Sequence, residues 1–281
     1  MNLSQYRNSI DLTPYARPGM ITEVEKEEAC DQLLKFLLRE RGLIAAFNAT
    51  YEKKRRLVRD SMNVRPPHPV PPEILALQDR LFWAESLERG IIALDSLAFD
   101  RYGIALYEGN IIRLGAEAIV NAANKTLLGC RIPGHECVDN VIHSAAGMQM
   151  RADCQRIIAA LGHEEECGNA RITRAYNLPA KYVIHTVGPM VGRQVTEDQR
   201  AALRSSYIAA LNLAEEMNLH SIAFCCVGTG VFNFPADEAA EIATGAVLGW
   251  KLRHEDYDLK VIFDTFRPKD TAIYQNILKM M

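Results

Sequence analysis

From about residue 91 onwards, the chain alternates short apolar runs with longer stretches in which apolar residues recur every three or four positions. The short runs are typical of buried strands and the longer stretches of amphipathic helices. Five runs predict strands: GIALYEGNI, AEAIVNAA, KYVIHTVG, SIAFCCVG and KVIFDTF. Helices are predicted near residues 138–161, 196–217, 236–253 and 270–280. This alternation predicts an α/β fold in which a mostly parallel sheet is covered by helices on both faces.

The first 90 residues or so have a different pattern. A stretch that begins at Thr22 and ends at Gly42 repeats apolar residues at helical spacing, which predicts an amphipathic helix. The segment NVRPPHPVPPEI contains five prolines that exclude a helix there, and a helical pattern resumes after it. We therefore predict a helical N-terminal extension with a proline-stiffened connector over 1–90, followed by one α/β domain over 91–281.

Composition narrows the classes of function. The chain has 281 residues, 48% of them hydrophobic and 24% charged, as in ordinary globular proteins. A formal net charge of -3 provides no basic field for nucleic acid, and no run of about 18 apolar residues predicts a membrane span. The N-terminus lacks the apolar core of a signal peptide. We expect a soluble, cytoplasmic protein whose partners include no nucleic acid and no membrane.

The segment LLGCRIPGHECVDNVIH carries the most specific chemistry. Seven cysteines without a secretion signal favour reduced thiols or metal ligands over disulfides. Cys130, His135 and Cys137 offer thiolate and imidazole groups that suit zinc, and the Pro-Gly pair between them lets the chain turn back. Three protein ligands leave a fourth position open, as in catalytic zinc sites; a chance cluster in a surface loop is the other interpretation. A structural site would be closed by one further ligand, for which the candidates are Cys154, Cys167 and His163.

Small residues follow another predicted strand, where ligands bind in parallel sheets. Gly228, Thr229 and Gly230 lie between the strand SIAFCCVG and a predicted helix. Backbone N–H groups in such a loop can contact a phosphate, although a plain strand-to-helix turn explains the same residues. The loop lacks the Gly-Lys-Ser/Thr of a Walker loop and the third glycine of the dinucleotide fingerprint.

Polar residues near the zinc-ligand segment have two interpretations each. Asn121 and Asn124 could contact a ribose or only cap turns. Asp139 could orient a water or a sugar hydroxyl, or be a stabilising charge in the first turn of a helix. His143, four residues later on the same helical face, is more consistent with a packed side chain.

Three segments in this order resemble the macrodomain family, the α/β/α module that binds ADP-ribose: YEGNIIRLGAEAIVNAANKTLLG, VDNVIHSAAG and GTGVFNFPADEAAEIA. The resemblance covers about 91–281 and implies a three-layer α/β/α macrodomain. The Cys-x4-His-x-Cys insertion and the N-terminal helical extension are further similar to the zinc-containing microbial macrodomains. Those proteins are protein-ADP-ribose hydrolases, often encoded beside a sirtuin-type ADP-ribosyltransferase, which the resemblance implies as a possible partner system here.

The resemblance also implies roles for individual residues. Asn124 and Asp139 would be catalytic, at the distal ribose where the attacking water is positioned. Cys130, His135 and Cys137 would bind one zinc ion near the scissile C1″ linkage. The residues implied to bind the substrate are Asn110, Ile111, Asn121, Gly228, Thr229, Gly230, Val231, Phe232 and Phe266.

One position in this set departs from the family pattern. The residues from Gly228 to Phe232 would wrap the diphosphate, with Phe232 against the distal ribose, and Phe266 would pack on adenine. At the adenine amino group the family has Gly-Asp-Ile, whereas this chain has Asn110 between Gly109 and Ile111. An Asn oxygen accepts without the charge assistance of a carboxylate, so we expect weaker adenine selectivity.

The function expected from these features is a zinc-dependent hydrolase that removes mono-ADP-ribose from protein side chains, with acidic residues as the expected acceptors. A non-catalytic ADP-ribose reader with a structural zinc is the alternative. A zinc nucleobase deaminase would need a Pro-Cys-x-x-Cys motif that the sequence lacks.

Overall fold

A six-stranded sheet lies at the centre of the molecule, and a computed structural model describes residues 3–44 and 48–281 of the chain. The strands are β1 (Ile104–Glu108), β2 (Ala118–Ala122), β3 (Ala170–Arg174), β4 (Tyr182–Thr186), β5 (Ser221–Phe224) and β6 (Lys260–Thr265). Their order across the sheet is β1-β6-β5-β2-β4-β3, with β3 and β4 antiparallel and the other neighbours parallel. The mostly parallel sheet predicted from the sequence is confirmed.

The helices surround this sheet. In chain order they are α1 (Glu23–Arg39), α2 (Tyr51–Val64), α3 (Pro72–Glu88), α4 (Val138–Ala146), α5 (Met148–Leu161), α6 (Glu197–Glu216), α7 (Ala236–Lys251) and α8 (Pro268–Lys279). The sequence predicted one helix over 138–161, which is wrong in one respect. Gly147 adopts a φ of 110° and ends α4, and the Gln78 side chain accepts a hydrogen bond from the first N–H of α5. In the described residues, no helix is long and apolar enough to cross a membrane.

Strand β3 is absent from the sequence prediction. Its residues, ARITR, include two arginines, and a charged residue in a short run is more typical of a surface segment. Arg171 is nevertheless buried, because its guanidinium forms an ion pair with Glu165 and lies over the ring of Tyr6. The Tyr6 hydroxyl also accepts a hydrogen bond from the backbone N–H of Ile172, so the N-terminal segment packs on this edge of the sheet.

Successive residues of each strand point to opposite faces, and the two faces differ in chemistry. On one face, Phe224 of β5 and Phe263 of β6 contact each other, and Tyr207 of α6 packs on Phe224. On the other face, Asn121 of β2 and His185 of β4 are paired in register and lie under α4 and α5. The polar residues of the second face lie beneath the site described below.

Helices α1, α2 and α3 form a second hydrophobic cluster of their own. Thr22 and Glu25 form the capping box of α1, as the acidic first turn predicts. Helix α2 was not predicted, because YEKKRRLVRDSMNV is dominated by charged residues and buries only Val58, Ser61, Met62 and Asn63. Met148 of α5 belongs to the same cluster, so the extension packs directly on the α/β part. The division at residue 90 stays a prediction.

Candidate active site

The carboxyl ends of β2, β5 and β6 face one cavity of about 1350 Å³. Its wall contains every residue that the sequence analysis assigned to catalysis or metal binding. It also contains the residues assigned to the substrate, with the exception of Asn121 among the described residues. A mostly parallel sheet places its ligand site at this end, so the chain brings its distinctive motifs together where the fold predicts.

The predicted zinc ligands form a tight cluster. Sγ of Cys130 lies 3.5 Å from Nδ1 of His135, and the ligand atoms of Cys130, His135 and Cys137 all lie within 4.8 Å of one another. Ligands of a tetrahedral zinc with bond lengths near 2.0–2.3 Å are separated by about 3.3–3.8 Å. All three residues are half-buried at the cavity wall. The donor set and its spacing fit a zinc ion.

The fourth-ligand candidates lie elsewhere. The Cys154 thiol is buried against Nε2 of His185, and Cys167 donates to the carbonyl of Gly188. Nδ1 of His163 lies beside the carbonyl of Glu164. Within the described residues, none of the three candidates belongs to the Cys-His-Cys cluster, which leaves the cluster open toward the cavity.

Burial raises the pKa of the Cys137 thiol to about 12, and the neighbouring Cys130 contributes to that shift. Two adjacent thiols resist ionisation because their negative charges would repel each other. A divalent cation reverses this preference by deprotonating thiols that coordinate it. Cys137 is also the N-cap of α4, where its Sγ accepts from the N–H of Asn140, a position that favours negative charge.

Helix α2 of the extension fixes the loop that carries these ligands. The Arg59 guanidinium donates to the carbonyl of His135 at 2.8 Å and to Oδ1 of Asn140 at 2.9 Å. Oδ1 of Asn63 accepts from the backbone N–H of Gly134 at 3.1 Å and from Nδ2 of Asn140 at 3.0 Å. Sequence reasoning missed Arg59, Asn63 and Asn140, because helix α2 itself was not predicted and no local signal ties it to the loop.

Asp139 is 5% exposed and lies in the first turn of α4, beside the metal-ligand loop. Its Oδ1 accepts from Nδ2 of Asn121 at 2.8 Å, and its Oδ2 lies 3.4 Å from Nδ2 of Asn124. Burial raises the pKa of this carboxyl to about 6, and the hydrogen bond from Asn121 opposes part of that shift. A carboxylate with a pKa close to neutral can accept a proton from water at physiological pH.

Asn121 supports Asp139 from below. The sequence predicts that Asn121 binds the substrate, whereas in the structure its side chain is fully buried beneath Asp139. The alternation of side chains along β2 turns it away from the cavity and toward Nδ1 of His185, at 3.2 Å. Its side chain therefore lies one layer behind the cavity wall.

His143 is packed, as the sequence analysis favoured. Its ring is buried beneath Gly129, and its Nε2 lies 3.5 Å from Oδ1 of Asp139. Burial lowers the pKa of His143 well below its usual value, so the imidazole is neutral. A Cβ at Gly129 would lie 2.8 Å from Cγ of this ring, and the backbone there has a φ of 78°. Both features favour glycine at this position.

Asn124 closes the turn after β2. Its Oδ1 accepts from the backbone N–H and the hydroxyl of Thr126, while its Nδ2 donates to the carbonyl of Gly129 at 3.0 Å. The turn chemistry considered from the sequence is therefore present. The same side chain also lines the cavity beside Asp139.

The loop after β5 presents backbone donors to the cavity. Gly228 has a φ of 83°, and its carbonyl accepts from the N–H of Phe234, which folds the loop back on itself. The carbonyl of Phe232 accepts from Val191 at 2.8 Å. Within the described residues, the N–H groups of Gly230 and Val231 have no acceptor in the protein. Such donors suit an anionic ligand such as a phosphate.

Relatives of the chain identify its family. The macro domain model matches residues 120–243. A protein-ADP-ribose hydrolase of Treponema medium is 41% identical in a 262-residue alignment that covers 88% of this chain and 96% of that protein. The chain belongs to the macro domain family. This macrodomain is also 42% identical to a protein-ADP-ribose hydrolase of Staphylococcus aureus strain MRSA252, in a 248-residue alignment that covers 87% of this chain and 93% of that protein.

A solved structure gives the same result for the fold. The Trypanosoma brucei macrodomain in complex with ADP-ribose matches with a TM-score of 0.60 at 30% identity, covering 78% of this chain and 94% of that chain. The three-layer α/β/α macrodomain predicted from the sequence is therefore confirmed.

Proposed function

We propose that this macrodomain is a zinc-dependent hydrolase that releases ADP-ribose from modified protein side chains. The observation that carries the proposal is that one cavity wall contains both the Cys130–His135–Cys137 cluster and Asp139, a carboxyl whose pKa is near neutrality. Relatives over most of the chain are called protein-ADP-ribose hydrolases, and a similar structure was solved with ADP-ribose. Both facts support the same substrate class.

The cavity offers a distinct environment for each part of ADP-ribose. The backbone donors of the loop from Gly228 to Phe232 would bind the diphosphate, and Phe266, exposed beside the cavity, would pack on adenine. Asn124 and Asp139 would then face the distal ribose. Binding energy from the diphosphate and the base would position C1″ beside Asp139, which lowers the entropic cost of the reaction.

Cys130, His135 and Cys137 would bind the zinc ion. Zinc supplies Lewis acidity to an oxygen of the substrate or of water when it is bound. Two thiolates formally balance the dication, so this site would be a gentler Lewis acid than one built from neutral histidines. The carbonyl and amide contacts that Arg59 and Asn63 make with the loop would keep the three ligands in position.

Asp139 would act as the general base. Its carboxylate accepts a proton from the attacking water while the water oxygen forms a bond to C1″ and the bond from C1″ to the acceptor side chain breaks. Asn121 and Asn124 would orient the two carboxylate oxygens through their amide hydrogens. A carboxylate leaving group departs without protonation, and this favours ester-linked ADP-ribose on acidic residues. The products are ADP-ribose and the restored side chain.

The Asp139→Asn variant tests this proposal. We expect it to lose release of ADP-ribose from a protein modified on acidic residues by a factor of about 10²–10⁴, the usual contribution of a general base. Its affinity for free ADP-ribose, measured by calorimetry, should stay within a few-fold of the wild type. Glu136→Gln is the matched control, because Glu136 is exposed on the same cavity wall and should be dispensable.

The competing outcomes separate the candidate functions. Wild-type protein that binds ADP-ribose but releases none from any modified protein would be a reader, and the hydrolase proposal would fail. A sirtuin-type ADP-ribosyltransferase system as partner and a cytoplasmic location stay predictions from the sequence.

A further inference from the structure

Asp264 is a buried carboxyl that no step of the proposed mechanism uses. It lies near the carboxyl end of β6 and is 5% exposed, yet it belongs to the wall of the ADP-ribose cavity. Its Oδ1 is buried without a hydrogen-bond partner among the described residues. Burial raises its pKa well above the ordinary value. An unsatisfied buried acceptor costs free energy unless a ligand supplies a donor.

Asp264 and Asn110 lie at the same end of neighbouring strands. In the register of β1 and β6, Asp264 pairs with Tyr107, and the N–H of Gly109 donates to the carbonyl of Thr265. Asn110 follows directly after Gly109, and both Asn110 and Asp264 line the cavity. The two side chains therefore belong to the same part of the wall.

The acceptor atom of Asn110 is already engaged. Its Oδ1 accepts from the backbone N–H of Ile112 at 3.3 Å and so caps the short helix Ile111–Arg113. Any further bond to that oxygen would be shared. Oδ1 of Asp264 has no such competitor, and Phe266, two residues further along, presents a 74% exposed ring to the same cavity.

We propose that Asp264 recognises the base of the bound nucleotide, its carboxylate accepting a hydrogen bond from the exocyclic amino group of a 6-aminopurine packed on Phe266. The assignment rests on the proposed function, because it requires ADP-ribose in this cavity. It also changes the expectation drawn from Asn110, since adenine selectivity is then provided by a different strand.

The chemistry of the pocket predicts a preference for adenine over hypoxanthine. A 6-oxo group in place of the amino group would leave the ionised Asp264 carboxylate without a donor and bring two acceptors together. Sites that pair a buried polar group with the ligand reject analogues that lack the partner. If the base packed on Phe266 without the amino contact, the protein would discriminate little between adenine and hypoxanthine, because both purines pack in a similar way.

Calorimetry with ADP-ribose and inosine diphosphate ribose tests the assignment. We expect the wild type to bind ADP-ribose about tenfold or more tightly than the hypoxanthine analogue. Asp264→Ala should bring this ratio close to one by weakening ADP-ribose alone. Asp264→Asn keeps the shape but offers both an acceptor and a donor, so it can pair with either purine and should lose most of the preference. Asp270→Asn is the matched control, because that buried carboxyl lines the same cavity but is already paired with Arg267 at 2.9 Å.

Each outcome bears on a different claim. An unchanged ratio in both Asp264 variants overturns the assignment, and so does an equal loss of affinity for the two nucleotides, which would point to a contact with the ribose. Failure of the wild type to bind either nucleotide would overturn the proposed function itself. Thermal unfolding of the ligand-free variants should show unchanged or higher stability, since the substitution removes an unsatisfied acid.

Discussion

Nδ2 of Asn121 lies 2.8 Å from Oδ1 of Asp139, and this bond joins strand β2 to the first turn of helix α4 directly beneath the proposed catalytic carboxyl. The same amide lies 3.2 Å from Nδ1 of His185. Burial lowers the pKa of His185 to about 3, so its ring is neutral and can accept from the amide. The strand therefore holds Asp139 in position, and its Asn121 amide favours the ionised form against the effect of burial.

Asn121 should lower the pKa of Asp139. Asn121→Ala removes a hydrogen bond that favours the ionised form of Asp139. Such bonds contribute about 1.5–3 kcal/mol, so the pKa of Asp139 should rise by about one to two units. The acid limb of the pH profile of kcat/KM should move to higher pH by that amount. KM should change little, because Asn121 lies behind the cavity wall. An acid limb that stays in place would show that Asn121 does not tune Asp139.

Stability should depend on pH through Asp139 in a defined direction. The pKa of Asp139 is raised from 3.8 to about 6 in the folded protein, so the folded state binds the proton more tightly than the unfolded state. The carboxyl therefore destabilises the fold progressively as pH rises through the window from about 4 to 6. Asp139→Asn should match the wild type near pH 4 and exceed its free energy of unfolding by about 3 kcal/mol above pH 7.

Urea unfolding of both proteins at pH 4.5 and pH 7.5 measures this difference. Comparison of the two proteins cancels the contribution of the buried histidines to the pH dependence of stability. Their lowered pKa values change stability with pH in the opposite direction. A difference that is independent of pH would contradict the raised pKa of Asp139.

Helix α2 should control metal affinity. Arg59→Gln removes the donors to the carbonyl of His135 and to Asn140, and loss of a contact of this kind usually lowers metal affinity about 10- to 100-fold. Competition with a chromophoric chelator gives the zinc affinity. Arg56→Gln is the matched control, since Arg56 is exposed on the same helix. Equal zinc affinities for the two variants would show that the Arg59 contacts do not support the metal site.

Replacement of Gly129 by alanine should destabilise the fold. Gly129→Ala combines a φ of 78° with a Cβ placed 2.8 Å from Cγ of His143. Gly162→Ala has a similar φ of 75° but nothing within 4 Å of the added Cβ, so it measures the backbone strain alone. We expect Gly162→Ala to cost about 1 kcal/mol and Gly129→Ala about 1–3 kcal/mol more, because a tightly packed core resists added volume. Equal costs would mean that His143 moves aside freely.

The sequence predicted those parts of the fold whose signal is local. Strands such as β2 and β5 are apolar runs bounded by small residues, and they are found where expected. Strand β3 depends on the ion pair between Arg171 and Glu165, and helix α2 depends on packing against α1 and α3, so neither has a local hydrophobic signal. In both cases tertiary contacts outweigh the local pattern.

The same distinction applies to the site. The clustering of Cys130, His135 and Cys137 could be predicted because their spacing is local, and their binding of zinc stays a prediction. The position of Asn121 was not, because a motif shows which residues are near a ligand but not on which side of the strand each one points. Asp264 is a single acid within an apolar run and gives no signal in the sequence. Only the register with β1, which pairs it with Tyr107, places it at the same end of the sheet as Asn110.

Zinc content, measured together with turnover, tests the central claim most directly. Elemental analysis of the purified wild type should give one zinc per chain, and chelation should abolish ADP-ribose release while circular dichroism and ADP-ribose binding persist. Added zinc should restore release. Cys137→Ala should lack both zinc and turnover, whereas Cys167→Ala, which removes an exposed thiol outside the cluster, should retain both. Full turnover in metal-free protein, or a wild type without zinc, would contradict the account.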